Sequence, residues 1–252
     1  MGHEQTDDRG WVGRVAAERQ RETAHRYMLG LYDVLERITS AFPDVLFESC
    51  ASGGGRFDPG MLHYMPQTWT SDNTDGVSRL KIQYGTSIVY PASSIGAHVS
   101  AVPNHQMHRL TPLSFRGHVA MSGNFGYELD LSKFTPEEKE LAKQQIATYK
   151  SIRQLVQFGD FHRLLSPFEG NETAWMFVSA QRDEAYVAYF RVFPDPLQPV
   201  RRLRLRGLQE SARYRLEETG EVFAGDLLMR VGIAMPLMHG EYQSVAMRLR
   251  KV

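Results

Sequence analysis

The feature that most constrains the fold is a change in hydrophobic pattern near Gly159. Before this residue, short apolar runs alternate with longer segments whose apolar residues recur every three or four positions, as strands alternate with helices. After it, short apolar runs follow one another, and several alternate with arginine, as in an antiparallel sheet with one face in water. The sequence therefore predicts an α/β region over residues 1–159 and a small antiparallel β domain over residues 160–252.

Helix signals are clear at three places in the first region. Thr135 as N-cap, Pro136 at the first helical position and Glu138 in a capping box predict a helix that runs to about Val156. A middle helix, capped by Asn73, Thr74 or Asp75, carries Val77, Leu80 and Tyr84. The earliest helix has one apolar face, formed by Ala24, Tyr27, Met28, Leu31, Leu35 and Ile38.

Strands are predicted from short apolar or β-branched runs bounded by turn residues. The first region contains four such runs: Val45–Cys50, Gln67–Ser71, Thr86–Tyr90 and Gly117–Met121. The second contains five: Trp175–Ser179, Ala185–Phe190, Leu203–Arg206, Arg213–Leu216 and Val245–Leu249.

A βα series followed by a β domain predicts part of a (β/α)8 barrel with a C-terminal β-sandwich. Only about four barrel strands are found, whereas closure needs eight. A half-barrel would leave two strand edges without partners, and such edges promote association or poor solubility.

Composition excludes several classes of function. The 252 residues carry 29 Lys plus Arg and 29 Asp plus Glu, so no net charge favours nucleic acid or an anionic membrane. No apolar run approaches the roughly 20 residues of a membrane span. The single cysteine excludes an internal disulfide, and the polar N-terminus lacks the apolar core of a secretory signal. We therefore expect a cytoplasmic protein.

Several motifs resemble the microbial α-galactosidases of glycoside hydrolase family 36. They are Phe47–Leu62, which contains Cys-Ala-Ser-Gly-Gly-Gly, then Met65–Asp75, Ile82–Thr86, Gly96–Gln106 and Leu164–Asn171. The resemblance extends from about Glu22 to the C-terminus. It implies a barrel that hydrolyses terminal α-linked galactose, as in melibiose and raffinose, with retention at the anomeric carbon. It also implies no metal or other cofactor, and a homo-oligomeric full-length enzyme.

The resemblance assigns Asp72 as the general acid/base. A retaining mechanism needs two carboxylates about 5–5.5 Å apart, and on a barrel both stand at the carboxyl ends of strands. Asp72 follows the predicted strand Gln67–Ser71 and lies close to Trp69. The alternative is that Asp72 only caps the next helix, a role that Asp75 fills as well or better.

The galactose pocket is predicted on the loop after the first strand. By resemblance, Cys50, Gly53 and Gly54 line it, because glycine lets backbone N–H groups approach a ligand closely. Trp69 would offer the sugar ring an apolar face. The alternatives are an inert cysteine, an ordinary glycine turn and a core tryptophan. A phosphate-binding loop is not expected, since no Lys-Ser/Thr follows the glycines.

Two observations keep other functions open. The nucleophile of the resembled family is an aspartate in a Lys-Trp-Asp-Met-Asn-Arg-like motif, and this sequence has none. The chain could therefore be a piece of such a hydrolase or a carbohydrate-binding remnant. A metalloenzyme built on His98, His105, His108 and His118 is the third alternative, although no third ligand has an obvious spacing. Glu48 falls on the same side of its strand as Cys50, which allows it to point into the barrel. The interpretation that is favoured is a buried structural carboxylate paired with an arginine.

Overall fold

The computed structural model describes residues 17–55, 57–194 and 200–252. The first region alternates helices and strands and has a helix at each end. The helices are α1 (Thr23–Ala41), α2 (Pro59–Tyr64), α3 (Gly76–Thr86), α4 (Leu113–Ala120) and α5 (Pro136–Phe158). The strands are β1 (Glu48–Ser49), β2 (Gln67–Thr68), β3 (Gly96–Ser100) and β4 (Asn124–Glu128).

These four strands form a parallel series in chain order. Glu48 of β1 pairs with Gln67 of β2, and Gly96 of β3 pairs with Asn124 of β4, both in parallel register. A parallel bridge from Thr68 to Ile95 links the two pairs. Parallel strands in sequential order, each followed by a helix, are the repeating unit of a (β/α) barrel, and four of them make half of one.

The predictions for α1, α3 and α5 are confirmed. At the start of α5, Thr135 Oγ1 accepts from the Glu138 amide at 3.2 Å, and the Glu138 carboxylate accepts from the Thr135 amide at 2.9 Å. The helix continues to Phe158, two residues past the predicted end.

Two predicted strands are wrong. Thr86–Tyr90 completes the end of α3, where the amides of Ile88 and Val89 donate to Gly85 and Thr86, and both side chains are exposed. Residues 117–121 lie in and just after α4, which packs against neighbours on several sides and therefore shows no helical periodicity. The true strands follow these two segments in the chain as β3 and β4, which contain Gly, His, Ser, Asn and Glu and lack an apolar run.

The second region contains eight described strands and one short helix, α6 (Gly225–Arg230). The strands are β5 (Asp160–Leu165), β6 (Glu172–Val178), β7 (Glu184–Arg191), β8 (Arg202–Leu203), β9 (Arg213–Leu216), β10 (Val222–Ala224), β11 (Ile233–Ala234) and β12 (Gln243–Lys251). Six of them form an antiparallel sheet in the order β10-β9-β12-β7-β6-β5, and β8 pairs with β11. The five predicted runs all overlap strands, whereas β5, β10 and β11 were not predicted.

Strands β6 and β7 are buried on both faces, and this joins the two regions. Met176, Val187 and Tyr189 point into a core shared with β8, β11 and α6. The alternate residues of the two strands pack against the barrel helices, and they are Trp175, Phe177, Tyr186, Ala188 and Phe190. The helix residues in this core include Leu80 of α3, Phe115 and Val119 of α4, and Ile152 and Leu155 of α5. One face of the sheet thus covers the outer surface of α3, α4 and α5. No helix among the described residues is long and apolar enough to cross a membrane.

This shared core yields a stability prediction. Phe190→Ala should lower the free energy of unfolding by about 3–5 kcal/mol, because Phe190 is buried against Phe115 and Trp175 at ring distances of 5.6 and 4.8 Å. The matched control, Phe158→Ala, removes a ring that is 74% exposed and should change little. Urea denaturation followed by circular dichroism measures both. Two separate transitions in the parent chain would show that the regions fold independently.

His118 gives the same interface a pH dependence. It lies on α4, and its Nδ1 is 2.8 Å from Ser244 Oγ on β12. Burial lowers the pKa of His118 from 6.5 to about 4. The unfolded chain therefore takes up this proton first, so the contribution of His118 to stability should fall as pH falls from about 6.5 to about 4 and should change no further below that. His118→Gln, compared with the parent by urea denaturation across this range, should remove that component; an unchanged pH profile would contradict it.

Candidate active site

The predicted site residues lie at the carboxyl ends of β1 and β2. Cys50 and the turn 51–55 follow β1, whereas Trp69 and the segment ending at Asp72 follow β2. Because the two strands are parallel, both segments emerge at the same edge of the sheet. The edge of the half-barrel that carries active sites in this architecture thus holds the candidate residues.

Gly53 lies directly against the backbone of Asp72. Its φ is +74°, and a Cβ at this position would stand 2.9 Å from the Asp72 amide nitrogen and 3.1 Å from Ser71 Cα. Neither the conformation nor the spacing suits a side chain. Gly54 belongs to the same turn, and Cys50 is an exposed free thiol beside it. The structure therefore brings the glycine turn and the Asp72 segment together.

Asp75, and not Asp72, caps α3. Asp75 is buried, and its carboxylate accepts from the Ser78 amide and hydroxyl, both at 2.9 Å. It also forms an ion pair with Arg109. The Asp72 side chain is exposed to solvent. Asp72 therefore does not cap α3, and its carboxylate is exposed at the end of the strand segment.

A second loop braces the Asp72 segment from the side of β3. Asn104 Nδ2 donates to Thr74 Oγ1 at 2.9 Å, and the Thr74 amide donates to Gln106 Oε1 at 3.3 Å. Asn104 is itself buried and accepts from the Gln106 and Met107 amides. Sequence reasoning included this loop in the family resemblance but gave these side chains no role, since no local pattern indicates which distant segment an amide will contact.

Trp69 is nearly enclosed, with only 7% of its surface exposed. Its ring stacks on His98 with centroids 4.5 Å apart and an interplanar angle of 14°, and the Arg79 guanidinium lies 4.4 Å from a ring centroid. Much of the indole surface is thus covered by protein groups. The apolar face that was predicted for the sugar ring is therefore partly occupied by His98 and Arg79.

Arg79 anchors this segment and was missed by sequence reasoning. It is buried on α3 and donates to the Gly96 carbonyl at 2.9 Å, to the Ser71 carbonyl at 3.4 Å and to Gln83 Oε1 at 3.2 Å. Burial lowers the pKa of Arg79 to about 10, so it remains charged at neutral pH. A charged group in this place links the backbone just before Asp72 to β3.

Glu48 reaches across the lumen side of the sheet. Its carboxylate accepts from the Gln67 side-chain amide, and its Oε2 lies 3.0 Å from where a Cβ on Gly96 would stand. Its partner is therefore an amide on the neighbouring strand and not the arginine that was predicted.

The histidines do not assemble into a metal site. His98 stacks on Trp69, and His118 faces Ser244 at the interface with the sheet. Across residues 17–55, 57–194 and 200–252, no three His, Cys, Asp or Glu side chains lie close enough to hold a metal ion.

The fold defines a class of protein, namely part of a (β/α) barrel followed by an antiparallel β domain. The exposed carboxylate of Asp72 lies at the end of one of the barrel strands. Residues 8–159 match the Melibiase family, and residues 172–249 match the glycosyl hydrolase family 36 C-terminal domain. The chain belongs to the Melibiase family. The match begins at residue 8, earlier than the expected start near Glu22.

Known α-galactosidases are similar to this chain over most of its length. Alpha-galactosidase AgaA of Geobacillus stearothermophilus is 66% identical over 235 residues, which is 93% of this chain and 32% of AgaA. Alpha-galactosidase 1 of Pediococcus pentosaceus is 48% identical over the same shares of the two chains. A crystal structure of an AgaA variant in complex with raffinose superposes with a TM-score of 0.92 at 64% identity and covers 95% of this chain and 33% of that one.

The chain therefore spans about a third of the length of the relatives that it matches, and it corresponds to their C-terminal part. The predicted fold class, the C-terminal portion of a (β/α)8 barrel followed by an antiparallel β domain, is confirmed.

The contact between Gly53 and Asp72 can be tested with two glycines of similar conformation. Gly220 has a φ of +77°, and no atom lies within 4 Å of where its Cβ would stand, so Gly220→Ala should cost only about 1–2 kcal/mol of backbone strain. Gly53→Ala adds a collision with the Asp72 backbone and should cost more. It should also shift the Asp72 amide resonance in a ¹H–¹⁵N spectrum, which Gly220→Ala should not. Equal losses and an unmoved Asp72 resonance would mean that the two segments are not in contact.

Proposed function

We propose that this chain supplies the general acid/base half of a retaining α-galactosidase site. The observation that carries the proposal is the exposed Asp72 carboxylate at the carboxyl end of β2, with the glycine turn against its backbone. In this role Asp72 protonates the departing glycosidic oxygen and then deprotonates the water that releases the sugar. Arg79, Asn104 and the Asp75 cap hold the segment so that the carboxylate meets the leaving group without reorganising.

The substrates proposed are oligosaccharides with a terminal α-linked galactose, of the melibiose and raffinose type. The match to the Melibiase family and the raffinose complex of an AgaA variant support this class. Cys50, Gly53 and Gly54 are proposed to line the galactose pocket, since they share the strand edge with Asp72.

The second carboxylate is proposed to come from outside this sequence. The nucleophile motif of the family is absent, and double displacement requires a carboxylate that attacks the anomeric carbon. Glu48 also faces the lumen, but it is held by the Gln67 amide on the neighbouring strand. We therefore expect no turnover from this chain alone.

The test is an assay on p-nitrophenyl α-galactoside and on melibiose, with the chain alone and with the chain completed by the N-terminal part of AgaA. The completed protein should be active, and Asp72→Asn should reduce its activity by about 10²–10⁴-fold on melibiose, because the substitution removes the proton donor. The loss should be smaller for the aryl galactoside, whose leaving group needs less protonation.

Three outcomes would count against the proposal. Equal losses on both substrates would show that Asp72 is not the acid. Turnover by the chain alone would assign the nucleophile to a carboxylate within it. Loss of that turnover in Glu48→Gln would identify Glu48 as this carboxylate. Galactose binding without turnover in the completed protein would instead identify a carbohydrate-binding remnant.

A further inference from the structure

A cavity in the C-terminal β domain is separate from the candidate active site. It lies where β6 begins and β7 ends, is also lined by residues 235–238, and has a volume of about 310 Å³. Pockets that bind small molecules have volumes of about 300–1,000 Å³, so this cavity suits a small ligand. The described residues that line it all lie between positions 171 and 238, which places it within the β domain. We call it the β6–β7 cavity, and its walls include Glu172, Tyr189, Arg191, Phe193, Arg201 and Leu237.

The carboxylate in this cavity already has partners. Glu172 accepts a hydrogen bond from the Tyr189 hydroxyl and forms an ion pair with Arg201. Glu172 stands opposite Arg191 in the register of β6 and β7, yet both of these contacts go to other residues. The negative charge of Glu172 is therefore balanced by Arg201.

Arg191 is a buried cation whose hydrogen bonds go to neutral groups. It is only 3% exposed, and its Nη2 donates to the carbonyls of Met238 at 2.5 Å and Gly240 at 3.3 Å. Its Nε–H is buried and has no acceptor among the described residues, which leaves a desolvation penalty uncompensated. The described walls thus hold two guanidinium groups and one carboxylate. An anion would supply both the missing charge and the missing acceptor.

The exposed part of the cavity lining is largely apolar. Phe193, Val200 and Leu237 are exposed by 44%, 67% and 68%. A single exposed apolar side chain is ordinary on a protein surface, but these three line one cavity. The Phe193 ring also packs against Tyr242, with centroids 6.2 Å apart, which limits its movement. An apolar ligand body would remove the surface of these side chains from water.

We propose that the β6–β7 cavity binds a small carboxylate with an apolar body. The carboxylate accepts hydrogen bonds from the Arg191 guanidinium, and the body lies against Phe193 and Leu237. A neutral sugar would supply an acceptor but not the negative charge, so galactosides are not the favoured occupants. This inference is independent of the proposed function, since no residue of the candidate active site lines the cavity.

The experiment is a calorimetric titration of the full chain with hexanoate, hexanamide and galactose. Hexanamide has nearly the same shape as hexanoate but carries no charge. We expect saturable binding of one hexanoate with a dissociation constant of about 1 mM or lower. Hexanamide should bind more weakly by about tenfold or more, because it cannot accept a charge-assisted pair of hydrogen bonds from Arg191. Galactose should not compete with hexanoate.

Three substitutions place the ligand in the cavity. Arg191→Met should weaken hexanoate binding by about tenfold or more, and circular dichroism checks that the variant is folded. Leu237→Asp changes an exposed side chain, carries little risk to folding, and should weaken binding by removing apolar contact and adding a like charge. The matched control is Val231→Asp, because Val231 is 45% exposed in the same domain but does not line the cavity. This control should leave binding nearly unchanged.

Each other result would overturn the proposal. Absence of saturable hexanoate binding would mean that the cavity holds only solvent. Equal binding of hexanoate and hexanamide would show that the charge of Arg191 is not used. Competition by galactose that Leu237→Asp removes would assign the cavity to a sugar. Equal effects of Leu237→Asp and Val231→Asp would place the bound hexanoate elsewhere, and this comparison decides the question if Arg191→Met does not fold.

Discussion

The structure depends on the burial of both faces of β6 and β7. A parallel half-sheet needs cover on the outside of its helices, and here the antiparallel sheet provides it with Trp175, Phe177 and Phe190. The same strands use their alternate residues to build the core of their own domain. Removing the β domain would therefore expose the outer surface of α3, α4 and α5 together.

This packing extends to the chemistry through α3. Leu80 of this helix lies in the shared core, and the neighbouring Arg79 faces the strand edge and holds the Ser71 carbonyl. Asp75 fixes the start of the same helix, three residues after Asp72. A buried arginine with only neutral acceptors carries a desolvation penalty. This penalty falls on the segment that positions Asp72, whose carboxylate is the group required for the proposed reaction.

Local signals in the sequence were sufficient to predict a helix or a strand where the signal comes from residues within that element. The capping box at Thr135, the apolar face of α1 and the runs in β6, β7 and β12 depend on nearby residues, and each was predicted in its place. Thr86–Tyr90 was mistaken for a strand because the end of α3 is rich in β-branched residues. Gly117–Met121 was mistaken for one because α4 is buried on several sides. The strands β3 and β4 could not be seen, since their burial comes from elements far away in sequence.

The site shows the same division. The strand-end position of Asp72 could be inferred from the sequence, aided by the family resemblance. The contact of Gly53 with the Asp72 backbone could not, because the glycines were assigned to the sugar and not to that segment. The stacking of Trp69 on His98 and the contacts of Arg79 and Asn104 join residues from different strands and loops, so no local pattern could reveal them. The close approach of Gly53 to the backbone of Asp72 has one more consequence, for sequence variation. A residue with a side chain at position 53 would require a displaced Asp72 segment, so these two segments can change only together.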